Sequence, residues 1–514
     1  MGPVTSLFVI PFVTAIAVVL TPAKQWRTIR WIAAAGTGGL LIISGFMTYS
    51  YWKLITLNPG SMNHEFFTKL YLVEKMPWFK SLGIQYFVGV DGISLAMVVL
   101  TSIVIFCGVM ASWNVKERAK EFFALLLVLV TGVFGVFVSF DLFLFLMFYE
   151  LAVLPMYLLI GVWGTGPKEY SAMKLTLMLL AGSALIFVGF LALYHGSGLN
   201  TFDLIEISKV QFPIGFQKWV FPVIFFGFGV IGALYPLHTW SPDGHSSAPT
   251  AVSMLHAGVL MKLGGYGILR IGVYLLPEGA KIWGMFFMVL ATINILYGAF
   301  AAIRQKDLKY FTAYSSVSHC GFVLFGIVSL NLMGIKGAVI QMFSHGIMTA
   351  LFFSLIGMVR YRAGSRMIPE LGGLATVMPW LACSFYLAGL ASLGLPGLSG
   401  FIAESHVFLG GFFANEWMNP TAMRILTIIA TMSLVVTAVY VLRGMATAFQ
   451  GPITNEKFYE IEDAKLPEKI ATGILVATIV IVGLFPWFFI DLIEGSIMPI
   501  VNRIHETGAW AILS

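Results

Sequence analysis

Glu150, Lys262 and Glu404 each stand inside a long apolar run of this 514-residue chain. Glu150 lies in "LFLFLMFYELAVLPMYLLIGVWG", Lys262 in "MLHAGVLMKLGGYGILR" and Glu404 in "LGLPGLSGFIAE". A charge at bilayer depth costs about 2.5–3.5 kcal/mol or more, so such residues are usually functional. A carboxyl or an amine that is neutral or charged according to its neighbours is what a proton relay needs. His256, His319 and His345 lie in similar runs, and an imidazole can pass a proton between its two nitrogens near neutral pH. Each group also has a plainer reading. A buried lysine can serve a structural ion pair, a lone histidine can be held by one hydrogen bond, and Glu404 can cap a half-helix. Together they favour a relay. His238, His245 and Lys174 stand near the ends of their runs and read as a possible entrance; Lys174 also fits a side chain snorkelling to the interface.

The elements that must position these groups are membrane helices. The chain is 59% hydrophobic and 11% charged, with mean hydropathy +0.90, against about a quarter charged residues in soluble proteins. The runs are too long for barrel strands and lack period-2 alternation. A net charge of +6 does not point to nucleic acid, because the lysines and arginines fall between apolar runs. Cys107, Cys320 and Cys383 sit in different runs, which indicates neither a disulfide framework nor a metal site. No histidine pair has HExxH spacing, and no GxGxxG or P-loop precedes a soluble βα unit. No metal or cofactor site is therefore expected in this chain.

With about 20 apolar residues per crossing, about fourteen spans are expected. Their positions are 5–21, 30–50, 90–111, 121–138, 141–162, 170–195, 215–239, 248–276, 281–303, 311–330, 334–360, 376–411, 422–447 and 468–492. Lys24, Arg27 and Arg30 follow span 1, Lys116, Arg118 and Lys120 follow span 3, Arg304, Lys306 and Lys309 follow span 9, and Arg360, Arg362 and Arg366 follow span 11. All are odd-numbered connections. The positive-inside rule then puts the odd connections in the cytoplasm and both termini outside. The longer even connections, 51–88 and 196–214, are expected as outer loops. One membrane domain results, divided into spans 1–3 (1–111), a first repeat (121–276), a second repeat (281–447) and a last span (468–492).

Two helices are interrupted. Span 7 contains Pro236 in "GALYPLHTW", and span 12 contains Pro396 between Gly394 and Gly397. Proline breaks or kinks a helix, and paired breaks in corresponding halves mark inverted-repeat transporters. The breaks lie five spans apart, so spans 4–8 and 9–13 read as two inverted five-helix repeats.

The motifs "FYELAVLPMYLLIGVWG", "PLHTWSPDGHSSAPTAVSMLHAGVLMKLGGYGILR", "DLKYFTAYSSVSHCGFVLFG", "GAVIQMFSHGIMTALFF" and "LGLPGLSGFIAE" resemble the antiporter-like membrane subunits of respiratory complex I. The match is closest to the subunit M group of bacterial NADH–quinone oxidoreductases, the counterpart of mitochondrial subunit 4. The resemblance implies a fourteen-helix fold in a membrane arm, beside antiporter-like neighbours L and N, in the bacterial inner membrane. Electron transfer would drive protons through the chain. NADH, FMN, iron–sulfur clusters and quinone would belong to partner subunits, leaving this chain without a redox centre. By position, Glu150, Lys262 and Glu404 match the family's acid on span 5, lysine on span 8 and terminal acid on span 12. His319 and His345 match polar residues of its central axis. One departure stands out. The family's span 7 lysine falls at Ile231, and His256 is expected to supply a titratable group between Glu150 and Lys262 in its place. Two other readings stay open: a subunit of a multi-subunit sodium/proton antiporter or membrane-bound hydrogenase, and a structural spacer that moves no ion. Costly buried charges argue against the spacer.

Overall fold

The computed structural model describes residues 2–57, 70–413 and 417–510. Among them, thirteen helices are long and apolar enough to cross a bilayer. Spans 1–6 are Pro3–Leu20, Trp26–Leu57, Gly92–Ala111, Ala119–Val138, Leu142–Trp163 and Lys168–Ser197. Span 8 is Thr250–Val273, followed by Pro277–Ile303, Leu308–Val328 and Leu332–Ala363 as spans 9–11, with Pro420–Phe449 and Leu466–Leu484 as spans 13 and 14. Span 7 is Ile214–Ile231 with a second half at Trp240–Ser247. Span 12 comprises two half-helices, Pro379–Ser392 and Ser399–Phe412. Counting this broken helix restores the expected fourteen.

The last span differs from expectation. It ends at Leu484, and Pro486–Trp510 forms a separate helix. Pro486 disfavours helical geometry at Phe485 before it, which takes φ −122° and ψ 56°. The new helix lies against the starts of spans 3 and 11: Gly92 N–H donates to Ser496 Oγ, and Lys336 pairs with Glu494 at 2.7 Å. The 51–88 connection also departs from a plain loop. β1 (Tyr71–Phe79) and β2 (Ile84–Val90) form an antiparallel hairpin, while residues 58–69 lie outside the described residues. Two register irregularities, one beside Pro77, erase the alternation that would have revealed it. The 196–214 connection holds a short helix, Leu204–Ser208.

Spans 3, 4, 8, 10 and 11 form the interior, and the most apolar window of span 8 is wholly buried. Small residues permit this. A Cβ at Gly264 would lie 2.5 Å from the Gly232 backbone nitrogen, so only glycine allows spans 7 and 8 to meet there. Span 8 is not a regular α-helix: it widens into π-helical turns at His256–Leu260 and Ile268–Val273, a feature frequent at functional sites.

Both interruptions are only partly covered, with Pro236 and Pro396 exposed, and their flanking residues turn inward, Ala233 and Leu234 at the first and Leu398 and Ser399 at the second. In span 7, Tyr235 N–H donates to Asn294 Oδ1 of span 9, and Trp240 Nε1 donates to the Val230 carbonyl. In span 12, Gly394 (φ +65°) and Gly397 (φ +92°) take the left-handed conformation that glycine adopts at least cost.

A buried ion pair fixes span 8 to span 3. Arg270 Nη2 lies 2.7 Å from Asp91 Oδ1, and Asp91 also caps span 3 by accepting from Ser94 N–H. Removing one partner of such a pair costs about 3–5 kcal/mol. Arg270→Ala is therefore expected to lower the yield and melting temperature of the purified protein, with part of the loss restored by Asp91→Asn in the same chain. A melting temperature equal to the parent's would contradict the pair's structural weight.

Candidate functional site

Lys262 sits in the α-helical stretch Met261–Gly267 of span 8, just after its first widened turn. Its Nζ donates to the Ala257 carbonyl and lies 2.8 Å from His345 Nδ1 on span 11. The His345 ring stacks on His319 of span 10, with centroids 5.2 Å apart and planes at 25°. His319 Nδ1 lies 3.5 Å from Glu404 Oε1 on the second half of span 12. All four residues are 3% exposed or less. Four of the six relay residues expected from sequence thus form one continuous line across spans 8, 11, 10 and 12.

Each end of this line lies at a helix interruption. Beside Lys262 is a cavity of ≈10 Å³, bordered by Gly232 at the span 7 break and by Gly265 and Cys320. Its volume is about that needed for one water molecule. At the other end, Glu404 faces Gly394 in the span 12 break, where a Cβ would come within 2.5 Å of Glu404 Oε2. The breaks therefore leave room for the charged groups as well as bending the chain.

The middle of the line has partners that sequence reading missed. Gln341 Nε2 donates to His319 Nδ1 at 3.1 Å, and His319 Nε2 lies 3.1 Å from Ser392 Oγ. These contacts fit the neutral ring with its proton on Nε2. Gln341 precedes His345 by one helical turn, a spacing that places both on one face; that spacing was the available signal.

His256 does not join Glu150. It is buried, with its ring 4.4 Å from His245 and 5.1 Å from Trp240, centroid to centroid. Glu150 is half-buried on the span 5 face that carries exposed Met147 and Leu154, and it makes no hydrogen bond or ion pair with the described residues. The expected Glu150–His256–Lys262 connection is therefore corrected within this chain: span 5 turns its carboxyl outward, and the fold pairs His256 with His245. Ile231 is buried at the end of the first half of span 7.

The expected entrance residues divide. Lys174 pairs with Asp243 at 2.7 Å, and Tyr310 donates to the same carboxylate. His238 packs between the Tyr235 and Tyr297 rings. His245 Nε2 lies 3.3 Å from Met261 Sδ, and Ser253 Oγ donates to the His245 carbonyl. Ser253 also lies 3.4 Å from Lys309 Nζ, which donates to the Ala248 carbonyl as well. Lys309 borders a cavity of ≈480 Å³ with Arg360, Thr165, Ser354 and Glu468. Sequence reading counted Lys309 only as a topology charge, because it stands one residue inside span 10; the fold buries it.

Comparison with known proteins follows the same lines. A family model described as NADH:quinone oxidoreductase/Mrp antiporter, transmembrane, matches residues 139–430. A Picosynechococcus sp. relative named NAD(P)H-quinone oxidoreductase chain 4 3 is 39% identical over 446 residues, covering 87% of this chain and 79% of its own. In fold, the chain is similar to one in respiratory complex I from Thermus thermophilus with bound NADH. That match has TM-score 0.85 and 24% identity, covering 98% of this chain and 99% of the other. It is likewise similar to a chain of the Mrp complex from Dietzia sp., with TM-score 0.80 and 18% identity, covering 98% and 100%. The chain is a multi-pass membrane protein and belongs to the NADH:quinone oxidoreductase/Mrp antiporter transmembrane family.

Proposed function

We propose that the chain is a proton-translocating membrane-arm subunit of an NADH–quinone oxidoreductase, of the subunit M type. The observation that carries this reading is the continuous buried line Lys262–His345–His319–Glu404. A spacer would gain nothing from four desolvated titratable groups in contact. Names of curated relatives, such as NAD(P)H-quinone oxidoreductase chain 4, favour a redox-driven assembly over a free-standing antiporter.

In this reading the basic odd-numbered connections face the cytoplasm and both termini the outside of the bacterial inner membrane. Protons enter from the ≈480 Å³ cavity beside Lys309 and pass His245 and His256 to Lys262. They leave through His345, His319 and Glu404. Lys262 takes a proton as an amine and gives it to the His345 nitrogen 2.8 Å away, which restores the amine. The outward-facing Glu150 is set against a neighbouring antiporter-like subunit of the L or N type. NADH, FMN, iron–sulfur clusters and quinone belong to partner subunits. The two repeats, spans 4–8 and 9–13, are related by inversion, which the five-span separation of the interruptions supports.

The test is assembly and transport together. A tagged copy restored to cells lacking the chain is expected to co-migrate on a native gel with NADH-oxidising activity. It should also restore NADH-driven proton uptake into inverted vesicles. Co-migration with a non-redox complex, together with sodium/proton exchange independent of NADH, would replace this reading with the antiporter one.

A further inference from the structure

Two buried acceptor atoms sit beside one histidine nitrogen. Gln341 presents its Nε2 to His319 Nδ1 at 3.1 Å, while its own Oε1 is buried and has no hydrogen-bond partner among the described residues. Glu404 Oε1 lies 3.5 Å from the same nitrogen and is likewise buried without a hydrogen bond. Buried polar atoms are nearly always paired, so this arrangement answers to only one of the protonation states His319 must visit.

The neutral ring, with its proton on Nε2 toward Ser392 Oγ at 3.1 Å, needs a donor at Nδ1, and the Gln341 amide supplies one. Once His319 takes a proton on Nδ1, the same amide N–H faces another N–H. The protonated ring then needs an acceptor at that position. An amide carries both a donor and an acceptor, so half a turn about its last side-chain bond replaces Nε2 by Oε1.

We propose that Gln341 is a two-position amide switch that holds His319 in both protonation states and controls when the His319 proton reaches Glu404. The proposal rests on the relay reading above and deepens it. With the amide nitrogen toward the ring, Nδ1 is occupied and cannot deliver a proton to Glu404. The amide first turns its nitrogen away, which frees the Nδ1 lone pair; His345 then gives its proton to Nδ1 of His319, and that proton rests on Gln341 Oε1. It then transfers to Glu404 Oε1, 3.5 Å from Nδ1 at rest. The ring returns to neutral, and the amide turns back. One proton enters from His345, one leaves on Glu404, and no other bond changes. Gln341 is a positioning residue: it orders the transfer and carries no net proton.

The titratable groups around His319 are His345 on its stacked face, Glu404 at Nδ1, and Tyr440 beyond Ser392, with Lys262 one step past His345. Of these only Glu404 lies at Nδ1, and it offers a donor there only when its own carboxyl is protonated; Gln341 offers a donor and an acceptor without changing its protonation.

The test compares Gln341→Met and Gln341→Asn with the parent in the assembled complex. The readouts are NADH-driven proton uptake into inverted vesicles and its pH profile. Methionine keeps the volume and removes both amide functions; asparagine keeps them on a shorter arm. Gln341→Met is expected to pump at least about tenfold more slowly, as for loss of one proton-transfer partner, with the midpoint of its pH profile displaced. Gln341→Asn is expected to recover part of the rate and to return the midpoint toward the parent's. A packing defect would scale the whole profile and leave its midpoint in place, which would overturn the switch, as would normal pumping by Gln341→Met. Lys262→Ala run in parallel separates the two ideas. If it pumps normally, the relay reading itself fails. If it collapses while Gln341→Met is normal, only the switch fails.

Discussion

Inverted membranes carrying Lys262→Ala are expected to assemble the complex on a native gel and to lose NADH-driven proton uptake by at least about tenfold, the scale of one lost acid–base group. In the proposed reading, reduction of a soluble electron acceptor by NADH should persist, because that step belongs to partner subunits. Lys262→Arg sharpens the result. A guanidinium keeps a charge but cannot give up its proton. A structural role at the Ala257 carbonyl and His345 would be met by arginine in part, whereas a relay role would not be met at all. Equal collapse in both variants is therefore expected. Recovery by arginine would identify Lys262 as a fixed structural charge.

Glu404→Gln is expected to show the second large loss, again at least about tenfold in proton uptake. The amide keeps the shape of the side chain and can still meet His319, but it cannot carry the proton onward. Glu404→Asp should recover part of the rate, because it keeps the carboxyl on a shorter arm. The site is built closely around this group: Gly394 offers no Cβ where one would come 2.5 Å from Glu404 Oε2. Normal pumping by Glu404→Gln would end the line at His319 and require another outlet. Ser392 and Tyr440, which continue from His319 Nε2, would be the first candidates.

The residue types and their depth were legible in the sequence because a long apolar run leaves a lone charge conspicuous. Lys262, His319, His345 and Glu404 were named on that ground, and the fold joins them. Which groups touch is a matter of helix rotation, and rotation is set by packing among several helices. Glu150 shows the difference: its run is as apolar as that of Lys262, yet it faces outward with Met147 and Leu154. His256 was correctly read as interior but given the wrong neighbour, since the π-helical turns of span 8 leave no mark in hydrophobic periodicity. Lys309 was hidden by position, because a lysine near a span end looks like a topology signal until the cavity beside it is seen. The paired interruptions were plain from Pro236 and Pro396. Asn294, which satisfies the first break, was not, because one polar residue in a span can face any neighbour. The helix after Pro486 was merged into the last span, since an apolar count passes straight through a proline.

The central claim is that Lys262, His345, His319 and Glu404 act as one wire in series. It is tested most directly by a double-variant cycle on pumping rate, using changes that each leave measurable activity: His345→Gln, Glu404→Asp and the pair together. In a series wire the slower step sets the rate, so the double variant is expected to pump about as fast as the slower single, a clear departure from independent effects. If the two losses instead multiply, the residues act independently, and Lys262 and Glu404 are not connected through the two histidines.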